Sequence, residues 1–411
     1  MDVLATTKQK IDAALDKIRA LQVGHFAQHD SRRALQAIEA IFLDHQQTVA
    51  LLANGASFEV VTNHCNAVLE ELFTYLPILG FLHRSKNASN QFEVYDPLLR
   101  LAHQVIGPTT KLVMSSEWNF SPFTFLQMPR LPEYVLIGLP ASEANNSLLT
   151  PLAGHEFGHT IWKVDRAEDR YRDPLSQVIV RRIRARWVEY QGYFPYIADE
   201  KALATDMFAV QTWLPALRWA LRQCEEIFCD SVGLWLFGEA YLQAFAYLLA
   251  PGLAAHRVPY YPSITARVKY LVSSAKHFGI EVPESYPKLF EGGAPPPKTP
   301  DGFLTSLSDD ATADQVDKLA GHVGRYMEER KVPIVDEVEV KEVLDSFKLM
   351  VPADNPRSLA AIVNAGWRAS HGPPLWPTYK RVDQSVVLNE LILKSAQVLE
   401  FRERTNDPAG K

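Results

Sequence analysis

Apolar residues recur at intervals of three and four along most of the chain, the spacing that places them on one face of an α-helix. In the first hundred residues this spacing predicts helices near 5–22, 31–53, 57–76 and 94–105. Short polar or glycine-containing turns separate these segments. We therefore expect a helical N-terminal region.

The pattern changes between residues 111 and 139, where short runs rich in β-favouring residues replace the helical spacing. These runs lie at 111–114, 122–127 and 133–139, and they predict a small β-sheet. Helical spacing returns near residue 148 and continues in candidate helices near 173–191, 199–222, 224–249 and 263–278. The predicted fold class is α+β and mainly α-helical.

The stretch 291–302 is the clearest linker, because its three consecutive prolines between glycines can continue neither a helix nor a sheet. Further helices are predicted beyond it, near 312–330, 336–348, 356–369 and 384–404. We expect an N-terminal helical region at 1–108, a central region at 109–290, this linker, and a C-terminal helical region at 303–411.

Composition adds little to this division but excludes some partners. The chain is 47% hydrophobic and 22% charged, which is typical of a globular protein. A net charge of −6 gives no reason to expect nucleic acid as a partner. A local basic run on a predicted helix could grip phosphate, or it could be a solvated face offset by acidic residues at 168, 169 and 173. This run comprises Arg181, Arg182, Arg184 and Arg186.

Cysteine usage and apolar segments bear on location. Three cysteines are too few for a disulfide framework and suit a reducing compartment. The N-terminus lacks the apolar core of a signal peptide. The most apolar stretch, 232–255, is interrupted by Glu239, so it reads as a buried core helix and not as a membrane span. We expect a cytoplasmic protein with no membrane partner.

The segment from Leu152 to Trp162 contains His-Glu-x-x-His, at His155, Glu156 and His159. Residues four apart lie on one face of a helix, so both imidazoles can meet one metal ion while Glu156 projects beside them. The apolar neighbours indicate a buried helix, where such groups are costly unless they are paired or bind a metal. The alternative is that both histidines are ordinary core residues.

A catalytic zinc ion takes three protein ligands and keeps one position open, so a third ligand is required. Glu226 and Asp230 stand four residues apart on a later apolar helix. Glu225 is a rival ligand, but Cys229 and not an acidic residue follows it by four positions. A cysteine ligand stays an alternative, although the spacing of Cys224 and Cys229 favours two buried thiols.

With these two helices the sequence resembles the gluzincin zinc metallopeptidases, whose sites combine His-Glu-x-x-His with Glu-x-x-x-Asp. The resemblance implies a zincin-like fold and a zinc ion held by His155, His159 and Glu226. It implies Glu156 as the general base and Asp230 as the carboxylate that orients His155. The implied activity is hydrolysis of peptide bonds in a peptide or protein substrate.

The segment from Tyr261 to Arg267 is similar to the His-Pro-x-x-x-x-Arg segment of the CAAX prenyl protease and HtpX family of gluzincins. Tyrosine replaces that family's histidine, and its membrane helices are not predicted here. By position, Tyr261, Arg267 and His256 are candidates for the donor that stabilises a tetrahedral oxyanion. The strand at 133–139 resembles the edge strand with which gluzincins align substrate.

Two other functions share these motif residues. One is a binding or sensing module that keeps the scaffold without catalysis, and the other is a zinc hydrolase of a non-peptide amide or ester. The intact Glu156 argues against a silent scaffold, which has no need of a carboxylate there. Substrate identity, endo- or exopeptidase action and oligomeric state stay open.

Overall fold

The structure, a computed structural model, describes residues 2–86, 92–118, 123–124, 128, 130–250, 257–290 and 296–406. The chain forms two compact units, Met1–Ser147 with Ala396–Lys411, and Leu148–Ser395. This division differs from the predicted one, because residues on both sides of 108 share the first unit. Most of the region after the predicted linker lies in the same unit as residues 148–290, and a helix begins at Pro300 within the linker itself.

The first unit opens with four helices, at the positions that the periodicity predicts. They are α1 (Val3–Gln22), α2 (His29–Leu52), α3 (Phe58–Arg84) and α4 (Phe92–Val105). The side chains of Asp2 and Ser57 accept hydrogen bonds from backbone N–H groups at the starts of α1 and α3, so both helices are capped. Helix α3 continues beyond its predicted end and contains Pro77.

A three-stranded sheet completes this unit, as the β-favouring runs predict. Its strands are β1 (Lys111–Glu117), β2 (Phe123–Thr124) and β3 (Tyr134–Pro140), in the order β1-β3-β2. Strand β1 runs parallel to β3 along its whole length, and β2 pairs antiparallel with Ile137 and Gly138. The prediction of a free edge strand at 133–139 is therefore wrong, since β3 has a neighbour on each side.

Helix α3 is the one helix in the described ranges with the length and apolar composition to cross a membrane. Core helices of globular domains meet the same criterion, and α3 contributes Val68, Leu72 and Tyr75 to the buried core of this unit. The stretch that the sequence singles out as most apolar is instead divided between two buried helices of the second unit.

The second unit consists of helices around one long central helix, α8. Its helices are α5 (Leu152–Val164), α6 (Ala167–Ala185), α7 (Trp187–Tyr193), α8 (Met207–Phe237), α9 (Glu239–Leu249), α10 (Ile264–His277), α11 (Pro300–Ala313), α12 (Val316–Glu329), α13 (Glu337–Lys348), α14 (Leu359–His371) and the first part of α15 (Arg381–Asn406). Helix α8 crosses the predicted break near 223 without interruption and ends at Gly238, whose φ of +54° favours glycine.

The basic run lies on α6 and finds its acidic partners on another helix. Arg181 is 3.2 Å from Asp314, and Arg182 is 3.6 Å from the same carboxylate. Asp310 also lies within 3.9 Å of Arg182. The predicted solvated face with acidic neighbours is present, but α11 and not the start of α6 supplies the partners of these two arginines.

Helices α5 and α8 pack at unusually short range because glycines line the contact. A Cβ atom built on Gly158 would lie 2.5 Å from the Cα atom of Cys229, and one on Gly154 would lie 2.9 Å from that of Gly233. Both distances are far below van der Waals contact. As the α5 residue number rises its α8 partner's number falls, so the two helices run antiparallel.

Aromatic rings and a buried histidine fix the end of α5. The Trp162 ring stacks on Tyr171 of α6 with centroids 5.6 Å apart, and it meets Phe228 of α8 edge-on. His322 of α12 lies 2.7 Å from an oxygen of Asp165 and 3.2 Å from the Tyr171 hydroxyl. This network joins α5, α6 and α12 beside α8.

We predict that Gly158→Ala destabilises the protein by about 3 kcal/mol, because the new methyl group meets backbone and not a movable side chain. The matched control is Gly192→Ala on α7, where a Cβ atom has open space and alanine is the better helix former. Unfolding midpoints followed by circular dichroism compare the two variants. Equal midpoints for both would show that α5 and α8 are not in tight contact.

His322 should make stability depend on pH. Burial lowers its pKa below the ordinary value of 6.5, and Asp165 only partly opposes this effect. The unfolded chain then binds more protons in mild acid, so stability is full above the unfolded pKa and falls as pH drops below it.

We expect the unfolding midpoint of the wild type to fall more between about pH 7.5 and about pH 5.5 than that of His322→Asn. The difference in slope is at most about 1.4 kcal/mol per pH unit. If the midpoints of the two proteins changed equally with pH, His322 would not be the source of the pH dependence.

Candidate metal centre

The His-Glu-x-x-His residues lie on α5, and their partners lie on the facing turns of α8. The rings of His155 and His159 are 5.0 Å apart between centroids and nearly perpendicular. Glu156 and His159 are buried, and His155 is only slightly exposed. The sequence prediction that these three side chains come together on a buried helix is thus met by the structure.

Both imidazoles make the same pair of contacts. The Nδ1 atom of His155 lies 2.9 Å from Asp230, and that of His159 lies 2.9 Å from Glu225. Both Nε2 atoms face Glu226, at 3.4 Å for His155 and 3.8 Å for His159. In each ring, Nδ1 therefore contacts a separate carboxylate, and Nε2 is directed at the carboxylate of Glu226, which the two rings share.

The arrangement fits a tetrahedral divalent cation. Zinc bonds to nitrogen and oxygen of about 2.0–2.1 Å imply ligand atoms about 3.3 Å apart. The 3.4 Å separation of His155 from Oε2 of Glu226 matches this value, and the 3.8 Å separation of His159 from Oε1 is longer. One carboxylate oxygen of Glu156, Oε2, is buried without a hydrogen-bond partner among the described residues. A buried carboxylate oxygen is costly in that state, and a cation with its bound water would satisfy it.

His155, His159 and Cys229 also form a buried group that could hold a metal ion, since their ligand atoms lie within 4.8 Å of one another. Burial raises the pKa of the Cys229 thiol well above its usual value, and the charges of Glu225 and Glu226 raise it further. As the sequence predicts, Cys224 and Cys229 are buried free thiols.

Glu226 is the third ligand that the sequence predicts, and its carboxylate faces both Nε2 atoms. Burial alone would raise its pKa, but the hydrogen bond with His155 and the charge of Arg267 lower it. Burial likewise disfavours the charged ring of His155, yet hydrogen bonds to Asp230 and Glu226 raise its pKa to about 10. A cation that takes this nitrogen displaces the proton.

Burial also governs Glu156. It raises the pKa of this carboxyl group, and the neighbouring charges of His155 and His159 oppose the shift. A carboxylate with a raised pKa is a stronger proton acceptor than an exposed one, which suits a general base.

Arg267 supports Asp230 and does not point at a substrate. Its Nε and Nη2 atoms donate to Asp230 at 2.6 and 2.8 Å, and Nη2 lies 3.4 Å from Glu226. Burial would raise the pKa of Asp230, but Arg267 holds it below its usual range. The prediction of Arg267 as an oxyanion donor is corrected, because its guanidinium is already committed to two buried carboxylates.

Tyr261 is the one remaining donor candidate that the structure describes, because His256 lies outside the described residues. Tyr261 is 42% exposed. The charge of Glu226 is the largest influence on its hydroxyl, and with burial it raises the pKa of Tyr261. The structure thus places Tyr261 within the electrostatic reach of the candidate metal ligands.

Polar contacts attach the segment before Tyr261 to α8 and α11. The side chain of Gln223 on α8 donates to the backbone oxygen of Pro259 at 2.9 Å and to Asp309 at 3.1 Å. Arg257 forms an ion pair with the same aspartate. These contacts hold the segment beside the helix that carries Glu226.

Sequence reasoning missed two residues of this centre. Tyr241 of α9 donates a 2.7 Å hydrogen bond from its hydroxyl to Asp230. Glu225 appears in the sequence as a rival ligand, but it contacts Nδ1 of His159. The antiparallel register carried a signal for the second, because if His155 faces residue 230, then His159 must face 225–226.

No family model, curated protein or solved structure matches the chain.

We predict that Arg267→Met lowers the stability of the metal-free protein by about 3–5 kcal/mol, because it leaves buried carboxylates without their cation. The matched control is Arg181→Met, which breaks an exposed ion pair and should cost about 1 kcal/mol or less. Urea unfolding measures both. If Arg267→Met were as stable as the control, Arg267 would not be needed to balance the buried carboxylates, and its assignment as a substrate donor would be open again.

Proposed function

We propose that the protein is a zinc-dependent peptidase with a zincin-like catalytic centre. His155, His159 and Glu226 would hold the zinc ion, and Glu156 would act as the general base. The observation that carries the proposal is the buried Glu156 oxygen without a partner, beside two imidazoles whose Nε2 atoms converge on Glu226.

A bound zinc ion supplies a Lewis acid that polarises a carbonyl group and lowers the pKa of water from about 9 in the aqueous ion to about 7. The chain's own residues perform the proton transfers. Glu156 accepts a proton from the attacking water and returns it to the leaving nitrogen of the peptide bond. Its burial keeps that proton from bulk solvent.

Tyr261 is our candidate for the donor to the developing oxyanion. It is exposed enough to meet a substrate, and it stands in the field of Glu226. Hydrogen-bond donors aimed at such a charge are worth about 2.7–4 kcal/mol in other hydrolases. The small number of cysteines and the net charge of −6 are the features behind our further proposal of a cytoplasmic location without a nucleic-acid or membrane partner, and the peptide or protein substrate follows from the proposed chemistry.

We predict about one zinc ion per chain in the wild type, measured by elemental analysis under zinc-replete conditions. Glu226→Ala should lose the metal, because it removes the shared oxygen ligand. Glu156→Gln should keep the metal but lose about 10²–10⁴-fold of the hydrolysis of a quenched peptide library, because the amide cannot accept the proton. A chelator should abolish cleavage by the wild type.

The same experiment separates the alternatives. Cys229→Ser keeps the zinc ion if Glu226 is the third ligand and loses it if the thiol is. Zinc without peptide cleavage, but with hydrolysis of amide or ester substrates, would identify a non-peptide hydrolase. Zinc without any hydrolysis would leave a binding or sensing module, and a wild type without zinc would reject the proposal.

A further inference from the structure

We infer that Glu225 is a positioning residue that fixes the ring of His159 for metal binding. The inference rests on the proposed zinc site and adds to it a second carboxylate–histidine pair, beside that of Asp230 and His155. From the sequence alone, Glu225 and Glu226 are alternative metal ligands, because they are adjacent on one helix. The inference gives Glu225 a different role from Glu226.

The geometry separates the roles of the two glutamates. Oxygen Oε1 of Glu225 lies 2.9 Å from Nδ1 of His159, whereas Glu226 faces the Nε2 atom. Nδ1 and Nε2 point away from each other across the imidazole ring. A Glu225 oxygen on Nδ1 therefore acts on a metal only through His159.

The other oxygen of Glu225 is also occupied. Arg222, one turn earlier on α8, forms an ion pair with Oε2, and its own side chain is 40% exposed. Lys163 of α5 lies within electrostatic reach of Glu225. Glu225 itself is 4% exposed. The Arg222 ion pair thus anchors one oxygen of a buried carboxylate and leaves the other at Nδ1 of His159.

The 2.9 Å contact favours one tautomer of His159. An ionised Glu225 accepts a hydrogen bond but cannot donate one, so Nδ1 must be protonated. The lone pair of a neutral ring then lies on Nε2, which faces Glu226. Such a carboxylate partner raises the basicity of the ligating nitrogen and fixes the ring's rotation, and its loss typically costs about 10–100-fold in metal affinity.

Two conservative variants separate positioning from charge. Glu225→Gln keeps the side-chain length and an oxygen that can accept the Nδ1–H, but it removes the charge. Glu225→Asp keeps the charge but withdraws the carboxylate from the ring. Zinc affinity is measured by competition with a chromophoric chelator, and the absorption spectrum of the cobalt-substituted protein reports the ligand geometry. The control is Glu239→Gln on α9, whose carboxylate pairs with Arg368.

Positioning predicts a loss of about 10–100-fold in zinc affinity for Glu225→Asp and less than about tenfold for Glu225→Gln. Both variants should retain one ion per chain, and the cobalt spectrum of Glu225→Asp should shift. Glu239→Gln should match the wild type. Circular dichroism confirms that each variant is folded.

Three outcomes would overturn the inference without touching the zinc site. The first is that both variants bind zinc with wild-type affinity. The second is a larger loss of zinc affinity in Glu225→Gln than in Glu225→Asp. The third is that Glu225→Gln loses the ion completely while Glu226→Gln retains it. The last would make Glu225 the ligand. A wild type that binds no zinc would overturn the site and this inference together, so the two failures are distinguishable.

Discussion

The contact between α5 and α8 governs the geometry of the whole centre. At Gly154 and Gly158 the two helices come so close that a methyl group would overlap backbone atoms of the opposite helix. Side chains that flank this contact can therefore be short and still meet their partners. The 2.9 Å contacts of His155 and His159 with carboxylates of α8 depend on this approach.

Partners on neighbouring residues explain how α8 can bury several carboxylates. Asp230 is balanced by Arg267 and hydrogen-bonded by Tyr241, and Glu225 is balanced by Arg222. Unpaired buried charges would destabilise the fold. Glu156 of α5 differs from these carboxylates, because one of its oxygens has no hydrogen-bond partner in the described structure, and the proposed function rests on this oxygen.

The sequence predicted the helical majority and the small sheet, because these follow from spacing within single elements, whereas the pairing of His155 with Glu226 on another helix was implied by the resemblance to the gluzincins. The predicted break in α8 near 223 was avoidable, because neither glycine nor proline marks that position, but the sequence could not show which helices α8 packs against. Nor could it show that β3 has two neighbours. Arg267 was assigned to substrate for the same reason, because its partner Asp230 lies on a different helix.

The hydrogen bonds to Nδ1 of both histidines have a consequence for how the protein matures. Small zinc domains commonly fold only as the ion binds, because nothing else gathers their ligands. Here protein groups already orient the rings of His155 and His159. On the proposed function, the zinc ion would meet rings that the protein itself orients, so metal loading would cost less side-chain freedom than in a domain whose ligands only the ion gathers.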